Sequence, residues 1–467
     1  MSDLLHQPLS ETIEPLRRRE ISPVELMQAT LARIDAANSK LNAFVAMRGR
    51  DALLADARAA EARIARGEAR SLEGVPLGVK DLEDVAGMVT THGSLPFKDH
   101  VAARDSIQVE RLEAAGAIVV GKTNAPEFGY TAITKNLVFG TTRNPWNLER
   151  TPGGSSGGSS AAIAGGLVPL ATASDGGGSV RLPATFTGCV GLKPSFGRIP
   201  HGPDDFWVTV DTATHGPLTR TVLDAAIHLD AVCGAHPLDP QSLPHPGHSY
   251  VEKLREELPR LRIGFSPDLG YAVVQSDVAD VVAKAAHVFE RLGHSLDLVK
   301  GGPPDTGRDW GLVNVFDMAA RLGHLLPEHE SDFGRAFLWG LKHGWQMTPE
   351  LWRAAQARRE ELNRWCAQTF ERFDLLLTPT TPYDPPPAGG PFPKELEGRA
   401  LPEASVASFT IPFNLSWHPA ATVRAGFSKA GLPVGLQIVG PRHRDDVVLQ
   451  AALAFERTQP APSWPVV

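Results

Sequence analysis

Cysteine is scarce in this sequence: Cys189, Cys233 and Cys366 lie far apart and outside any Cys-x-x-Cys pattern. Regularly spaced cysteine pairs mark secreted disulfide scaffolds, so that class is excluded and a reducing compartment is indicated. Long apolar runs are also missing, because two glycines and a proline interrupt the longest one, residues 161–173. The first residues lack the apolar core of a secretory signal. These absences predict a cytoplasmic protein without a membrane anchor.

An excess of basic residues is missing too. The net charge is −7, with 46 Lys and Arg against 53 Asp and Glu, and neither a basic tract nor a basic–aromatic stripe occurs. Binding to nucleic acid depends on such a concentration of positive charge. Nucleic acid is therefore not an expected partner. The ordinary shares of apolar (42%) and charged (21%) residues predict a globular protein.

Sequence motifs for common cofactors and metals are missing as well. No Gly-x-Gly-x-x-Gly opens a helix after a strand, so there is no dinucleotide fingerprint. No lysine stands three positions after a serine, which excludes the Ser-x-x-Lys pattern of β-lactamases. His324, Glu328 and His329 cluster, but Pro327 breaks the helical spacing that a metal pair requires. Neither a cofactor nor a metal is predicted.

Residues 116–123 match the letters of a phosphate-binding loop, Gly-x-x-x-x-Gly-Lys-Thr. The four middle residues, Ala-Ile-Val-Val, are typical of a buried strand rather than of an exposed loop. Pro126 and Gly129 then interrupt the helix that such a loop requires. The match is therefore interpreted as chance.

A second match, residues 154–158, fits the Gly-x-Ser-x-Gly nucleophile elbow with Ser156 at its centre. That elbow directly follows a buried strand, whereas the residues before it here, NPWNLERTP, are polar and broken by proline. An esterase of the α/β-hydrolase type with Ser156 as nucleophile is therefore a weaker alternative.

Short apolar runs alternate with helical patterns after Gly74. This alternation predicts an α/β protein: one large domain whose central β-sheet is mixed, mostly parallel and flanked by helices on both faces. Ser22, Pro23 and Glu25 predict the start of an earlier helix, because they form a capping box with proline at the first position. Strands are predicted at 116–121, 262–265, 373–377, 421–423 and 434–439, and helices at 219–232, 276–292, 348–371 and 444–457.

No clear linker divides the chain, and the proline-rich residues 379–393 are interpreted as a surface loop. A single domain over residues 1–467 is therefore expected. Its four parts are an N-terminal helical segment packed on the core, a core with the candidate catalytic residues, a variable substrate-pocket region, and C-terminal strands with a helix that complete the sheet. These parts span residues 1–70, 74–200, 201–370 and 371–467, respectively.

Residues 151–195 are unusually rich in glycine and serine, yet apolar runs interrupt them, so they do not form a flexible linker. Glycine-rich backbone beside buried structure permits close approach to a ligand, although tight packing of a helix on a strand would also explain it. Eight blocks stand out along the chain: GVPLGVKD (74–81), GKTNAPEFG (121–129), FGTTRNPWN (139–147), GGSSGGSSAAIAGGLVPLATASDGGGSVRLPATFTGCVGLKPS (153–195), GPLTRT (216–221), LLLTPTTP (375–382), IPFNLS (411–416) and GLPVGLQIVG (431–440). In sequence and in order these blocks resemble those of the amidase signature family, and the resemblance extends over residues 21–455.

The resemblance implies a Ser–cisSer–Lys triad, in which Ser179 is the nucleophile, Ser155 the bridging serine after a cis peptide bond, and Lys80 the base. The spacing of the two serines is the one that the family pattern requires. A lysine acts as a base only when neutral, and burial lowers its pKa because a low dielectric penalises the ammonium. The apolar neighbours of Lys80 predict such burial, whereas Lys122 and Lys193 are weaker alternatives.

The resemblance also implies the surroundings of this triad. Main-chain N–H groups of a glycine-rich loop are expected to form an oxyanion hole, because glycines let the main chain turn its donors toward one point. These groups belong to Gly176, Gly177, Gly178 and Ser179. Four further side chains are expected to support the site rather than react: Asp81, Ser156, Asp175 and Arg181. Ser159 is expected to cap the helix that follows.

Three positions depart from the family's pattern. Gly176 stands where a bulkier residue is common, which is expected to loosen the oxyanion loop; Trp417 replaces a glycine, and Arg424 stands where proline is common. Trp417 is expected either to pack against the sheet or to shape the pocket. An aromatic pocket suited to apolar or aryl amides is predicted from five side chains: Phe128, Phe206, Trp207, Phe316 and Trp417.

The predicted function is hydrolysis of small-molecule carboxamides through an acyl-enzyme on Ser179, and the same chemistry would extend to esters and carbamates. The resemblance leaves a homodimer possible. The main alternative is the glutaminase subunit of a tRNA-dependent amidotransferase, but that protein carries a Tyr-Asp-Gly-Val/Ile-Arg block that residues 310–345 lack. The intact triad argues against a third class, a non-catalytic binding protein.

Overall fold

An 11-stranded sheet runs through the protein and collects strands from every part of the chain. The computed structural model describes residues 4–203, 205, 208, 209, 211–402, 404–460, 463–465 and 467, so the predicted pocket residues Phe206 and Trp207 lie outside the described residues. In spatial order the strands are Phe44–Met47, Ile118–Thr123, Pro76–Lys80, Leu170–Ala171, Leu218–Thr219, Val190–Lys193, Ala420–Phe427, Pro433–Val439, Leu375–Pro379, Arg262–Phe265 and Ser295–Leu298.

Strand direction changes across this sheet. Pro76–Lys80 near one flank and Arg262–Phe265 near the other are each parallel to both of their neighbours. The strands of the centre pair antiparallel, with Ala420–Phe427 and Pro433–Val439 forming a long hairpin. The sheet is therefore mixed, as predicted, but parallel strands do not predominate because this hairpin and short neighbouring strands occupy its middle.

Helices flank the sheet, and the strongest helical signals in the sequence mark real helices. The predicted capping box forms at Ser22, whose Oγ accepts a hydrogen bond from Val24 N at 3.0 Å while its own N–H donates to Glu25. The α-helices are Leu9–Arg17, Pro23–Leu41, Arg50–Ala65, Ile107–Ala114, Gly157–Ala164, Arg181–Thr187, Val222–Val232, Tyr250–Lys253, Ser276–Ala286, Val288–Arg291, Gly307–Leu322, Leu326–His329, Arg335–His343, Pro349–Arg372, Ile411–Leu415 and Asp445–Glu456.

Two short helices in the glycine-rich segment are buried along their whole length: Gly157–Ala164 and Arg181–Thr187. The first packs on the strand Pro76–Lys80 and the second on Pro433–Val439. The packing is close enough that a Cβ at Gly158 would lie 2.2 Å from the main-chain nitrogen of Asn124. The glycines of this segment therefore permit tight packing as well as the loop that borders the cavity described below.

All three cysteines are buried and unpaired. Burial raises the pKa of the Cys189 and Cys233 thiols to about 11 and that of Cys366 to about 12. Within the described ranges, no helix combines the length and the apolar character needed to cross a membrane.

Candidate active site

Lys80 ends the strand Pro76–Lys80, in which every residue is buried. Its Nζ donates hydrogen bonds to Ser155 Oγ and Ser156 Oγ, both at 2.8 Å, and to Ser174 Oγ at 2.9 Å. Burial lowers the pKa of the Lys80 ammonium to about 7, although nearby carboxylates act in the opposite direction. A pKa in this range allows the amine to lose its proton near neutral pH.

Ser155 and Ser179 line the same cavity from two neighbouring segments. The peptide bond between Gly154 and Ser155 is cis, as the resemblance implied. The main-chain N–H of Ser156 donates to the carbonyl oxygen of Ser179 at 3.3 Å, which ties the two segments together. The structure thus brings both serines to one wall, with Lys80 bonded to the first of them.

Ser174 is a third hydroxyl bonded to Lys80, and it was not among the predicted site residues although it stands in the glycine-rich block. Its short strand, Ser174–Asp175, pairs with Thr214–His215. The bond joins two residues that are 94 positions apart in the chain, so local sequence patterns do not reveal it.

The loop 175–179 lines the cavity through Gly176, Gly177 and Ser179. Among the residues that the structure describes, none accepts a hydrogen bond from the main-chain N–H of these three. The N–H of Gly178 differs, because it donates to Asp175 Oδ1 at 2.7 Å. Of the four predicted oxyanion donors, Gly178 is therefore already engaged within the protein, and the other three remain candidates.

The expected loosening of this loop at Gly176 is not seen. The Thr209 side chain occupies the space that a larger residue would fill, since a Cβ at position 176 would lie 2.3 Å from Thr209 Oγ1. The Gly176 carbonyl oxygen accepts hydrogen bonds from Thr212 Oγ1 at 3.1 Å and from Trp310 Nε1 at 2.9 Å. The Thr209 side chain therefore fills the space beside Gly176, and hydrogen bonds from Thr212 and Trp310 hold the loop.

A fully buried ion pair lies behind the loop. The Arg181 guanidinium donates to both carboxylate oxygens of Asp175, at 2.9 and 3.0 Å. Burial alone would raise the pKa of Asp175, but Arg181 and the Asn414 amide lower it well below its usual range. The charged carboxylate also accepts the main-chain N–H of Gly178 and Val180. Asp175 and Arg181 therefore support the loop from within the protein.

Asp81 follows Lys80 in the chain but bonds to a different part of the site. Its carboxylate accepts hydrogen bonds from the main-chain N–H and the hydroxyl of Thr91. The turn held in this way carries His92, which lines the cavity. Asp81 thus supports the cavity wall rather than the serine hydroxyls.

The two other candidate lysines are engaged elsewhere. Lys193 Nζ donates to the Pro194 carbonyl at 2.9 Å, and Lys122 Nζ donates to Thr90 Oγ1 at 2.8 Å. Among the hydrogen bonds of the described residues, neither lysine reaches a serine hydroxyl that borders the cavity, whereas Lys80 reaches those of Ser155 and Ser174. Burial lowers the pKa of Lys193 to about 7, so position rather than pKa distinguishes it from Lys80. Lys122 lies in a buried strand, so the apparent phosphate-binding loop does not form.

The nucleophile-elbow alternative fails in its structural context. Residues 151–156, all of which are described, form no strand. Ser156 Oγ is instead a hydrogen-bond partner of Lys80, which agrees with its predicted supporting place. The expectation that Ser159 caps a helix is wrong, because Ser159 lies inside the helix Gly157–Ala164 and its hydroxyl donates to the Thr172 carbonyl at 2.8 Å.

A cavity of about 700 Å³ borders both serines, and Phe128 lines it as predicted. Phe316 and Trp417 are not among its lining residues. The helix Gly307–Leu322 contributes several residues to the lining, including Trp310, but Phe316 lies against Trp352, with ring centroids 6.5 Å apart. Described apolar residues around the cavity include Leu82, Phe128, Val208, Trp310, Trp339 and Ile411.

Trp417 does not border the cavity, and its ring contacts Phe196 and Arg359, neither of which belongs to a strand, so neither of its two expected roles is seen. Its ring stacks on Phe196, with centroids 4.7 Å apart, and its Nε1 donates to the Asp211 carbonyl at 2.7 Å. Trp310 and Trp339 supply the aromatic walls instead. Both lie outside the recognisable blocks, where the sequence alone does not place side chains. Among the described residues, no group of three or more His, Cys, Asp or Glu is arranged to hold a metal ion.

Comparisons with known proteins cover nearly the whole chain. A family model described as Amidase matches residues 25–449. The acylamidase of Rhodococcus erythropolis is 37% identical, over 97% of this chain and 95% of its own. A glutamyl-tRNA(Gln) amidotransferase subunit of a Roseiflexus species is 36% identical over 97% of both chains. The structure of a bacterial aryl acylamidase of the amidase signature enzymes matches with a TM-score of 0.91 at 32% identity, covering 97% of this chain and 96% of that one.

Proposed function

The chain belongs to the amidase signature family of amide hydrolases, and on that premise we propose that it forms an acyl-enzyme on Ser179 with Lys80 and Ser155 as its proton relay. The observation that carries the proposal is the 2.8 Å hydrogen bond between Lys80 Nζ and Ser155 Oγ, at the wall of a cavity that Ser179 also lines. A serine hydroxyl needs a base to become a nucleophile, and this buried amine supplies one.

In the first half of the reaction, Ser179 Oγ attacks the carbonyl carbon of the amide. Its proton passes to Ser155 Oγ as Ser155 passes its own proton to the neutral Lys80 Nζ. The carbonyl oxygen becomes an oxyanion, and the N–H groups of Gly176, Gly177 and Ser179 are the donors available to it. Removal of one such donor typically costs about 3–4 kcal/mol of transition-state stabilisation.

In the second half, the tetrahedral intermediate collapses and the carbon–nitrogen bond breaks. The leaving amine takes up the proton held on Lys80, returned through Ser155, so that the base is neutral again. Water then attacks the ester on Ser179 with the same relay as base, which releases the carboxylic acid and restores the serine. These steps use protein side chains and water.

The cavity supports apolar or aryl amides as the substrate class. Aromatic rings of Phe128, Trp310 and Trp339 line it, and Val208 and Ile411 add further apolar surface. Such walls bind apolar groups by removing them from water. The two named relatives that act on acyl amides, an acylamidase and an aryl acylamidase, are consistent with this class.

A second candidate function is favoured by the similarity to the glutamyl-tRNA(Gln) amidotransferase subunit. Free glutamine carries both an ammonium and a carboxylate, so its site would need charged partners for them. Arg308 and Asp305 lie at the cavity and could serve in that way, but Trp310 and Trp339 from the same region make much of its wall apolar. Hydrolysis of aryl acylamides is therefore the preferred function.

The test is a substrate panel with the purified chain. We expect kcat/KM for an acyl anilide to exceed that for the matching aliphatic amide, and Ser179→Ala to abolish both activities. A clear preference for the aliphatic amide would contradict the aryl pocket. Release of ammonia from glutamine by the chain alone, at a rate above that for the anilide, would favour the second candidate. Full activity in Ser179→Ala would overturn the acyl-enzyme itself.

A further inference from the structure

The peptide units of the loop 175–179 are held individually at their carbonyl oxygens. Asn414 Nδ2 donates to the Asp175 oxygen at 2.9 Å, and Leu182 N donates to the Gly178 oxygen at 2.7 Å. The Gly177 oxygen accepts from Thr410 Oγ1 at 2.6 Å. The Gly176 oxygen accepts from two side chains, Thr212 and Trp310. Three of these four carbonyls have a donor from a distant part of the chain, whereas the donor to the Gly178 carbonyl is Leu182 in the same segment.

Fixing a carbonyl also fixes the N–H of the following residue. The peptide unit is planar and trans here, so its C=O and N–H point in opposite directions. In three of these peptide units the carbonyl oxygen accepts a hydrogen bond, while the N–H has no acceptor among the described residues. These three N–H groups belong to Gly176, Gly177 and Ser179. These three residues of the loop line the cavity. Gly178 does not line it, and its N–H donates to Asp175 Oδ1.

The peptide unit between Gly176 and Gly177 has a hydrogen-bond donor from the variable region of the chain. This donor is Trp310, on the helix Gly307–Leu322. The donors to the two other units, Asn414 and Leu182, lie in a family block and in the glycine-rich segment. The indole also covers the loop, because a Cβ at Gly177 would lie 2.5 Å from Trp310 Cζ2. One side chain of the substrate-binding wall thus bonds to the loop and packs on it.

Resting on the proposed function, we infer that Trp310 is a positioning residue for the reaction: its indole N–H holds the Gly176 carbonyl so that the Gly177 N–H points at the oxyanion. Trp310 therefore acts through the main chain, in addition to forming part of the cavity wall. The helix that contacts the substrate is coupled in this way to the donors that stabilise the transition state.

The test compares Trp310→Phe, which keeps an aromatic ring but removes the N–H, with Trp345→Phe as the matched control. Trp345 is 61% exposed and is not among the cavity-lining residues. Loss of one positioning hydrogen bond is expected to lower kcat for the anilide about tenfold, with KM changed less than about twofold. Thr212→Val, which removes the second donor, should lower kcat in the same way, and the double variant further still.

A second readout separates positioning from general damage. A boronic acid that adds to the serine forms a tetrahedral adduct, so its inhibition constant in Trp310→Phe should rise by about the factor by which kcat falls. Circular dichroism should show equal melting temperatures for Trp310→Phe and Trp345→Phe. A change in KM alone, or an unchanged kcat in Trp310→Phe, would overturn the inference while leaving the proposed function intact. Full activity in Ser179→Ala would overturn both.

Discussion

The pKa of Lys80 is low because the hydrogen-bond partners of its buried ammonium are hydroxyl groups rather than carboxylates. Ser155, Ser156 and Ser174 accept its hydrogen bonds without a full negative charge, so the buried ammonium gains less stabilisation than it loses on leaving water. A carboxylate in direct contact would hold the proton on the amine. This environment explains why burial lowers the pKa of Lys80 to about 7, which supports its proposed role as the base.

The first residue-scale prediction concerns pH. Below its pKa of about 7 Lys80 carries a proton and cannot accept another, so kcat/KM for the anilide should rise with pH and level off above about pH 8. The measurement is a pH–rate profile from about pH 5 to about pH 9. Lys80→Arg should lose activity at every pH, because a guanidinium stays charged throughout this range. If kcat/KM of the wild type did not change with pH over this range, the proposal that Lys80 acts as the base would be wrong.

The residues proposed for the triad come from the sequence alone, whereas among the described residues predicted for the pocket only Phe128, which stands in a sequence block, borders the cavity. Lys80, Ser155 and Ser179 stand in blocks with fixed spacing, and the fold brings those blocks together. Phe316 was predicted by residue type alone, without knowledge of which face of its helix meets the cavity. Trp310 had no distinguishing signal, because a tryptophan in a variable helix is equally suited to the core, the surface or a site.

Among the elements of the fold, the helix Arg181–Thr187 is joined to the loop before it by the Asp175–Arg181 pair. Arg181 also donates to Gln437 Oε1 at 2.8 Å and to Asn414 Oδ1 at 2.6 Å. Gln437 belongs to the strand Pro433–Val439, so one guanidinium connects loop, helix and sheet. Its planar array of donors suits three partners at once, which a lysine cannot match.

The element-scale prediction is that Arg181→Lys loses about 2–4 kcal/mol of the free energy of unfolding, because the buried Asp175 keeps its charge but loses part of its hydrogen bonding. Urea denaturation monitored by circular dichroism would measure the change. The exposed pair between Arg17 and Glu14 supplies the control, since Arg17→Lys should leave the midpoint unchanged. Equal urea midpoints for Arg181→Lys and the wild type would contradict the conclusion that the hydrogen bonds of Arg181 stabilise the fold.

Some element boundaries predicted from the sequence agree with the structure to within one residue. The predicted strand 262–265 matches Arg262–Phe265, and the predicted helix 348–371 becomes Pro349–Arg372. Strands such as Leu170–Ala171 and Leu218–Thr219 are too short to carry a period, yet they pair antiparallel in the middle of the sheet. The predicted share of parallel pairing was too high because these short strands leave almost no pattern in the sequence and because the two long central strands form an antiparallel hairpin.

At the scale of the whole molecule, one sheet contains strands from all four predicted parts of the chain, which favours a single folding unit. Its strands run from Phe44–Met47 to Pro433–Val439, and Pro76–Lys80 shares one continuous sheet with strands that follow residue 370. Separation of any part would expose the edges of buried strands. We propose that the chain is one domain rather than a series of independent ones.

The corresponding prediction is that the chain unfolds in one cooperative transition. Far-UV circular dichroism and tryptophan fluorescence, measured against urea, should give coincident curves. The nine tryptophans include Trp146, Trp310 and Trp464 and so report on distant regions. Two separated transitions, with fluorescence changing before the helical signal, would show that part of the chain folds independently.

The burial of the three thiols has a practical consequence for handling the enzyme. A thiol reacts as its thiolate, and the raised pKa values of Cys189, Cys233 and Cys366 keep that form scarce at neutral pH. Alkylating agents that inactivate cysteine-dependent hydrolases are therefore expected to react slowly with these three thiols in the folded protein. Assays can be run without reducing agents, and insensitivity to iodoacetamide becomes a simple mark that the molecule is still folded.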